Sequence, residues 1–219
     1  MHGGRETMDR ASGLLLAEQL ATRLCHDLSG PLSGLIAALD EGGAETGALP
    51  LAAEAATALR QRLALLRAAW GAPAALPAEA LRPLLAGLPR ASRLRVALSG
   101  PVAGAMLTPL RARLLLNALM LAADSLPRGG EVFLEGDPRE ALVLGIDGSG
   151  AAWPADLAVM LTDAQAAWDC LSAGARGARQ QAAVLALMSE DAGARARILL
   201  GSAAEPAAPL MLDLSGVVG

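Results

Sequence analysis

L-A-T-R-L-C-H-D-L-S-G-P-L-S-G-L-I-A-A-L, residues 20–39, is the stretch from which the fold is read. Leu20, Leu24, Leu28, Leu35 and Leu39 recur at helical spacing, with Pro31 and Leu32 filling the gap. They mark one apolar stripe of an amphipathic helix. At about 100° per residue, His26 falls roughly opposite the centre of that stripe. Gln19, Thr22, Arg23, Ser29, Ser33 and Asp40 share its face. A histidine held out to solvent among small polar groups is the first pointer to function. Pro31 follows a little more than one turn later. Its ring clashes with the carbonyl of Asp27 and removes a backbone donor, which predicts a kink.

Working outward, the helix is expected from residue 11 to about residue 40, after a frayed start over residues 1–10 that assigns no role to His2. Gly42, Gly43 and Gly47 mark a turn. Over residues 51–70, Leu51, Ala55, Leu59, Leu63, Leu66 and Trp70 step by three or four, while Glu54, Arg60, Arg62 and Arg67 occupy other faces. Two long helices joined by a short loop make an antiparallel hairpin with only half a core. A second copy would close it into a dimeric four-helix bundle, and a homodimer is the expectation. The alternative is that the hairpin packs on the chain's own second domain.

G-A-P-A-A-L-P, residues 71–77, reads as a linker, which divides the chain into a helical domain over 1–72 and a second domain over 73–219. Past the linker the pattern is mixed. A short helix is expected over 79–88, a strand over 94–98, and a long apolar helix over 109–125. A hairpin is expected from strands at 131–135 and 141–146 around G-D-P-R. Helices within 155–172 and over 176–192 follow, and strands at 196–200 and 210–214 close the chain. Helices on one face of a mixed sheet make this an α+β fold.

Composition narrows the function classes. The longest apolar run, residues 114–123, is interrupted by Asn117 and too short to span a bilayer, and no signal peptide is visible at the start. With two cysteines, Cys25 and Cys170, the expectation is a reducing compartment and a cytoplasmic protein. Net charge is −4, the basic residues are scattered, and the aromatic residues are one Phe and three Trp. Neither a membrane surface nor nucleic acid is an expected partner. All 18 basic residues are Arg. The absence of Lys excludes a lysine Schiff base and the phosphate-binding P-loop.

For His26, several roles compete. As a metal ligand it lacks partners, because Cys25 and Asp27 point away from it on a helix and the other histidine is His2. As a general base it lacks a recognisable nucleophile; there is no G-x-S-x-G, and Ser29 and Ser33 carry no sign of activation. As a covalent nucleophile it fits better. A neutral imidazole on an exposed face can attack a phosphoryl group held by another protein, and small neighbours such as Thr22, Ser29, Gly30 and Ser33 allow close approach. An ordinary surface histidine remains open on periodicity alone.

R-L-C-H-D-L-S-G-P-L, residues 23–32, resembles the H-box of two-component histidine kinases, in which the phosphorylated His is followed by an acid and, five residues on, by Pro. The same stretch, with L-L-L-N-A-L-M-L-A-A-D-S-L-P-R-G-G at residues 114–130 and the late A-R-Q-Q-A-A-V-L-A-L, is more particularly similar to the ChpT-type histidine phosphotransferases of alphaproteobacteria. That resemblance implies a second domain built like the Bergerat ATP-binding domain of the kinases, but degenerate. Asn117 matches the first Asn of the kinase N-box, whereas Leu121 stands where a magnesium-binding Asn belongs. A leucine offers no oxygen to a hard cation. D-G-S-G at residues 147–150 is one residue short of the kinase D-x-G-x-G box, and no glycine-rich lid follows.

The resemblance further implies a phosphorelay intermediate with His26 as the phosphoryl carrier and Asp27 beside it orienting the ring. Gln19, Thr22, Arg23, Ser29, Gly30 and Ser33 are the expected docking surface. The implied donor is the receiver domain of a CckA-like hybrid kinase, and the implied acceptors are CtrA-like and CpdR-like response regulators. No cofactor or metal of its own is expected, Mg²⁺ being supplied by the partner receiver. Gly30 stands where many kinases carry Thr or Asn able to orient a hydrolytic water, so transfer rather than hydrolysis is expected. An active sensor-kinase core and a non-catalytic receiver-binding scaffold are the two alternatives.

Overall fold

The computed structural model describes residues 3–41, 48–72, 74–89, 91–200 and 207–217. The turn expected at Gly42, Gly43 and Gly47 lies outside the described residues. The first helix, α1 (Gly3–Glu41), begins well before residue 11, because nothing between Arg5 and Ser12 breaks a helix. Helical assignment continues across Pro31. The second helix, α2 (Ala48–Trp70), returns along it. Arg62 meets Asp27, and seven residues on along α1 and seven back along α2 Gly34 faces Ala55, the register of an antiparallel pair.

The hairpin divides along its length. Leu65, Leu66 and Ala69 of α2 are buried in one continuous apolar cluster with the second domain, and Leu20, Leu24 and Leu28 of α1 pack against that cluster. At the opposite end Leu32, Ile36 and Leu39 of α1, with Leu49 and Leu51 of α2, are exposed. The expected stripe is therefore split: its N-terminal half packs on the chain's own core, and at its C-terminal end Leu35 is half-buried and Leu39 exposed.

The stretch expected as a plain linker, residues 71–77, ends instead in a short strand. This strand, β1 (Leu76–Pro77), pairs antiparallel with β3 (Met106–Leu107). Between them lie α3 (Leu81–Leu85), shorter than the expected helix, and β2 (Leu94–Ser99). The apolar helix α4 (Pro109–Asp124) starts with Pro at its first position, where a missing N–H costs nothing. The sheet continues with β4 (Gly130–Asp137) and β5 (Ala141–Asp147). Then come α5 (Leu157–Met160), α6 (Ala164–Ser172), α7 (Gly177–Asp191), β6 (Arg195–Ile198) and β7 (Leu210–Asp213).

The five-stranded sheet has the order β2-β4-β5-β7-β6, with β2 and β4 parallel and the other pairs antiparallel. Alternation decides its buried face. Val132 pairs with Ile146 and Leu134 with Leu144, and all four are buried, as are Leu142, Leu210 and Leu212. Helices α4 and α7 pack against each other and reach strands of this sheet. The result is the α+β arrangement expected. Gly129 and Gly130, at positive φ, make the tight entry into β4; a side chain on Gly130 would run into the carbonyl oxygen of Asp147.

Candidate functional site

His26 projects from α1 with 83% of its side chain exposed, and its Nδ1 lies 3.3 Å from Oδ1 of Asp27. Thr22, Ser29 and Ser33, at three- and four-residue steps from it, are exposed on the same face, and Gly30 is open to solvent. The Ser29 hydroxyl donates to the carbonyl of Cys25 at 2.6 Å, so it is engaged with its own helix. No group of three or more His, Cys, Asp or Glu side chains capable of holding a metal ion occurs among the described residues.

Asp27 turns the other way, with only 9% of its side chain exposed. Its Oδ2 lies 3.5 Å from Arg23 Nε and 3.3 Å from Arg62 Nη2. Arg23 donates from Nη2 to Oδ2 of Asp124 at 2.7 Å and from Nη1 to the carbonyl of Gly177 at 3.3 Å. Arg62 donates to the carbonyl of Gly87 at 2.8 Å. Two cations and two anions thus form a buried, balanced network behind the exposed imidazole, joining α1, α2, the end of α4 and the start of α7. Burial lowers the pKa of Arg62 from its ordinary value, with the Asp27 carboxylate as the main opposing influence.

This arrangement corrects the expected docking face. Arg23 was placed with His26 at the surface, but it is buried at 7% exposure. Gln19 is half-buried, its backbone carbonyl and side-chain oxygen accepting from Gln180 of α7. Gln19, Arg23 and Asp27 follow at steps of four and form a stripe adjacent to that of His26, facing the second domain. Polarity alone suggested an outward face; buried partners on other elements account for the inward one. Arg62, expected on a polar face of α2, is buried for the same reason. Neither it nor Asp124 was identified as a site residue. The one local signal was the four-residue spacing of Arg23 and Asp27.

Beside His26 a cleft of about 490 Å³ lies between α1 and the segment that leads into α7. Gln19, Thr22 and His26 line one side, and Gly174 to Gly177, with Gln180, line the other. The residues likened to a nucleotide site lie elsewhere. Asn117 and Leu121 are completely buried. Asn117 Oδ1 accepts from Trp70 Nε1 and Gln181 Nε2, each at 2.9 Å, and its Nδ2 donates to the carbonyls of Arg113 and Ala69. All four of its side-chain hydrogen-bonding positions are therefore engaged inside the protein.

Known proteins resemble this chain as follows. A family model described as the histidine phosphotransferase C-terminal domain matches residues 77–203, more than half of the chain; the His26 helix lies outside the matched segment. No curated protein matches. A solved structure described as a bacterial phosphotransferase is 25% identical, with 91% of this chain and 95% of that chain covered, at a TM-score of 0.64. Full-length ShkA in complex with AMPPNP is 17% identical, covering 92% of this chain and 46% of its own, at a TM-score of 0.42, too low to argue from.

Proposed function

Because this chain belongs to the histidine phosphotransferase family, we propose that it is a ChpT-type phosphorelay intermediate in which His26 carries the phosphoryl group. The observation that carries the assignment is the exposed His26 ring with Nδ1 against a buried carboxylate. A proton on Nδ1, donated to Asp27, leaves the lone pair on Nε2 as the nucleophile. The Nε2 lone pair attacks phosphorus as the acyl-phosphate P–O bond of the donor receiver breaks, and the electron pair departs with that receiver's carboxylate. Positive charge developing on the imidazole is met by Asp27. Transfer onward is the same exchange reversed, with a carboxylate of the acceptor receiver as nucleophile. Mg²⁺, if held by the receiver, would supply charge compensation for the transferring group.

A CckA-like hybrid kinase as donor and CtrA-like and CpdR-like regulators as acceptors are the partners the family suggests. Thr22, Ser29, Gly30 and Ser33 would meet them directly. Gln19 and Arg23 would act from behind by holding the second domain in place. The second domain is read as unable to use ATP: Asn117 is fully engaged and Leu121 supplies no oxygen to a cation.

The test is incubation with a phosphorylated receiver. The wild type should take label and His26→Ala should not; equal labelling would overturn the assignment. ATP alone should produce no phosphohistidine, and autophosphorylation would favour a sensor-kinase core instead. Receiver binding without any labelled histidine would favour a scaffold.

A further inference from the structure

We propose that Asp124, the last residue of α4, is a positioning residue for His26: acting through Arg23, it keeps the Asp27 carboxylate on Nδ1 of the imidazole. The proposal rests on the reading of His26 as the phosphoryl acceptor. It also gives the second domain a part in the chemistry without ATP.

The Asp27 carboxylate stands between the imidazole and two buried cations. Its Oδ1 meets His26 Nδ1 at 3.3 Å, a long contact that a stronger donor could displace. Two guanidinium groups lie close enough to compete. Yet Oδ2 of Asp27 is buried without a well-formed hydrogen bond, and so is Nε of Arg23. The cations stand by the carboxylate without capturing it. The reason is that their close bonds are made elsewhere. Arg62 is anchored on the Gly87 carbonyl, and Arg23 spends Nη2 on Asp124 at 2.7 Å and Nη1 on Gly177.

Charge points the same way. Arg23, Asp27, Arg62 and Asp124 balance, with Arg176 at the far side of the cleft. Without the charge of Asp124, two buried guanidinium groups face one carboxylate. A buried cation that loses its partner seeks another, and the available one is Asp27, which suits a two-point guanidinium contact. His26 Nδ1 would then lose its acceptor, and the ring proton would redistribute toward Nε2, removing the nucleophilic lone pair. The placement of Asp124 is informative in itself. An acid in the last turn of a helix opposes the helix dipole, so this position disfavours a carboxylate unless a cation such as Arg23 compensates.

Two measurements on the full-length chain decide it. The chain has two histidines, so in a His2→Ala background the ¹⁵N imidazole signals report His26 alone. At a pH where that ring is neutral, the parent should hold its proton on Nδ1. Asp124→Asn, shown by circular dichroism to be folded, should shift the population toward the Nε2–H tautomer. It should also accept phosphoryl from an acetyl-phosphate-treated CckA-like receiver about tenfold more slowly. Asp124→Glu should restore both. A folded Asp124→Asn protein with the parental tautomer overturns the proposal, whatever its transfer rate. If the parent takes no label on His26, the phosphorelay reading fails, while the tautomer measurement still judges Asp124.

Discussion

Asn117 shows how much of the molecule a single amide can hold. From the middle of α4 it joins Trp70 at the end of α2, Gln181 of α7 and the carbonyl of Ala69, with no part of it exposed. Truncation takes this partner from Trp70 Nε1 and from the carbonyls of Ala69 and Arg113, and removes one of the two bonds Gln181 Nε2 makes to Asn117, in a dry interior where an unmade hydrogen bond costs more than a made one contributes. Asn117→Ala should therefore lower the unfolding free energy by about 3 kcal/mol, read from a urea titration with an unchanged slope. A loss below the error of that measurement would mean that these groups find other partners. The residue likened to an N-box asparagine is a structural hub here, and that use is incompatible with turning outward.

At the scale of elements, α7 ties the chain together. It packs on α4 and α6, Gln180 reaches α1, and Gln181 reaches α4. Its first turn is also held to α5, because Arg179 donates from Nε to Asp156 at 3.0 Å. That hydrogen bond holds the Asp156 carboxyl below the usual carboxylate pKa, more strongly than partial burial raises it. The sign follows from linkage. A carboxylate with a lowered folded-state pKa contributes stability above its unfolded value, near pH 4, and the contribution is lost as pH falls through the folded value. Asp156→Asn should therefore shift the thermal midpoint at neutral pH and cease to differ from the parent in strong acid. A difference that persists undiminished in strong acid would show that charge is not its source.

For the whole molecule, the division of the hairpin matters most. Its lower half is built into the core of the second domain, while Leu32, Ile36, Leu39, Leu49 and Leu51 remain exposed at the other end. Exposed apolar side chains on both helices of a pair fit a second hairpin in a four-helix bundle. The expected outcome is a dimer by light scattering at micromolar concentration, converted to a monomer by Leu39→Glu with helix content retained. A monomeric parent protein would reject the bundle.

Much of this was legible in the residues themselves. The two long helices, the apolar α4, the β4–β5 hairpin and α7 follow from hydrophobic period and from Gly and Pro punctuation, which are local properties. The exposure of His26 was legible because periodicity places it opposite the leucines. The short β1–β3 pair was not, since two residues carry no period. The inward turn of Gln19, Arg23 and Arg62 was equally hidden. Along one chain a polar residue looks the same whether it meets water or a buried carboxylate a hundred positions away.

What the sequence by itself determined is therefore the helical hairpin, the α+β character of the rest of the chain and an outward histidine on the polar side of α1. The tertiary structure decided what stands behind that histidine. Asp27, Arg23, Arg62 and Asp124 come from three helices, and no two of those helices are related by a repeat that could be read locally. Burial made them a network, because charges taken from water must find one another.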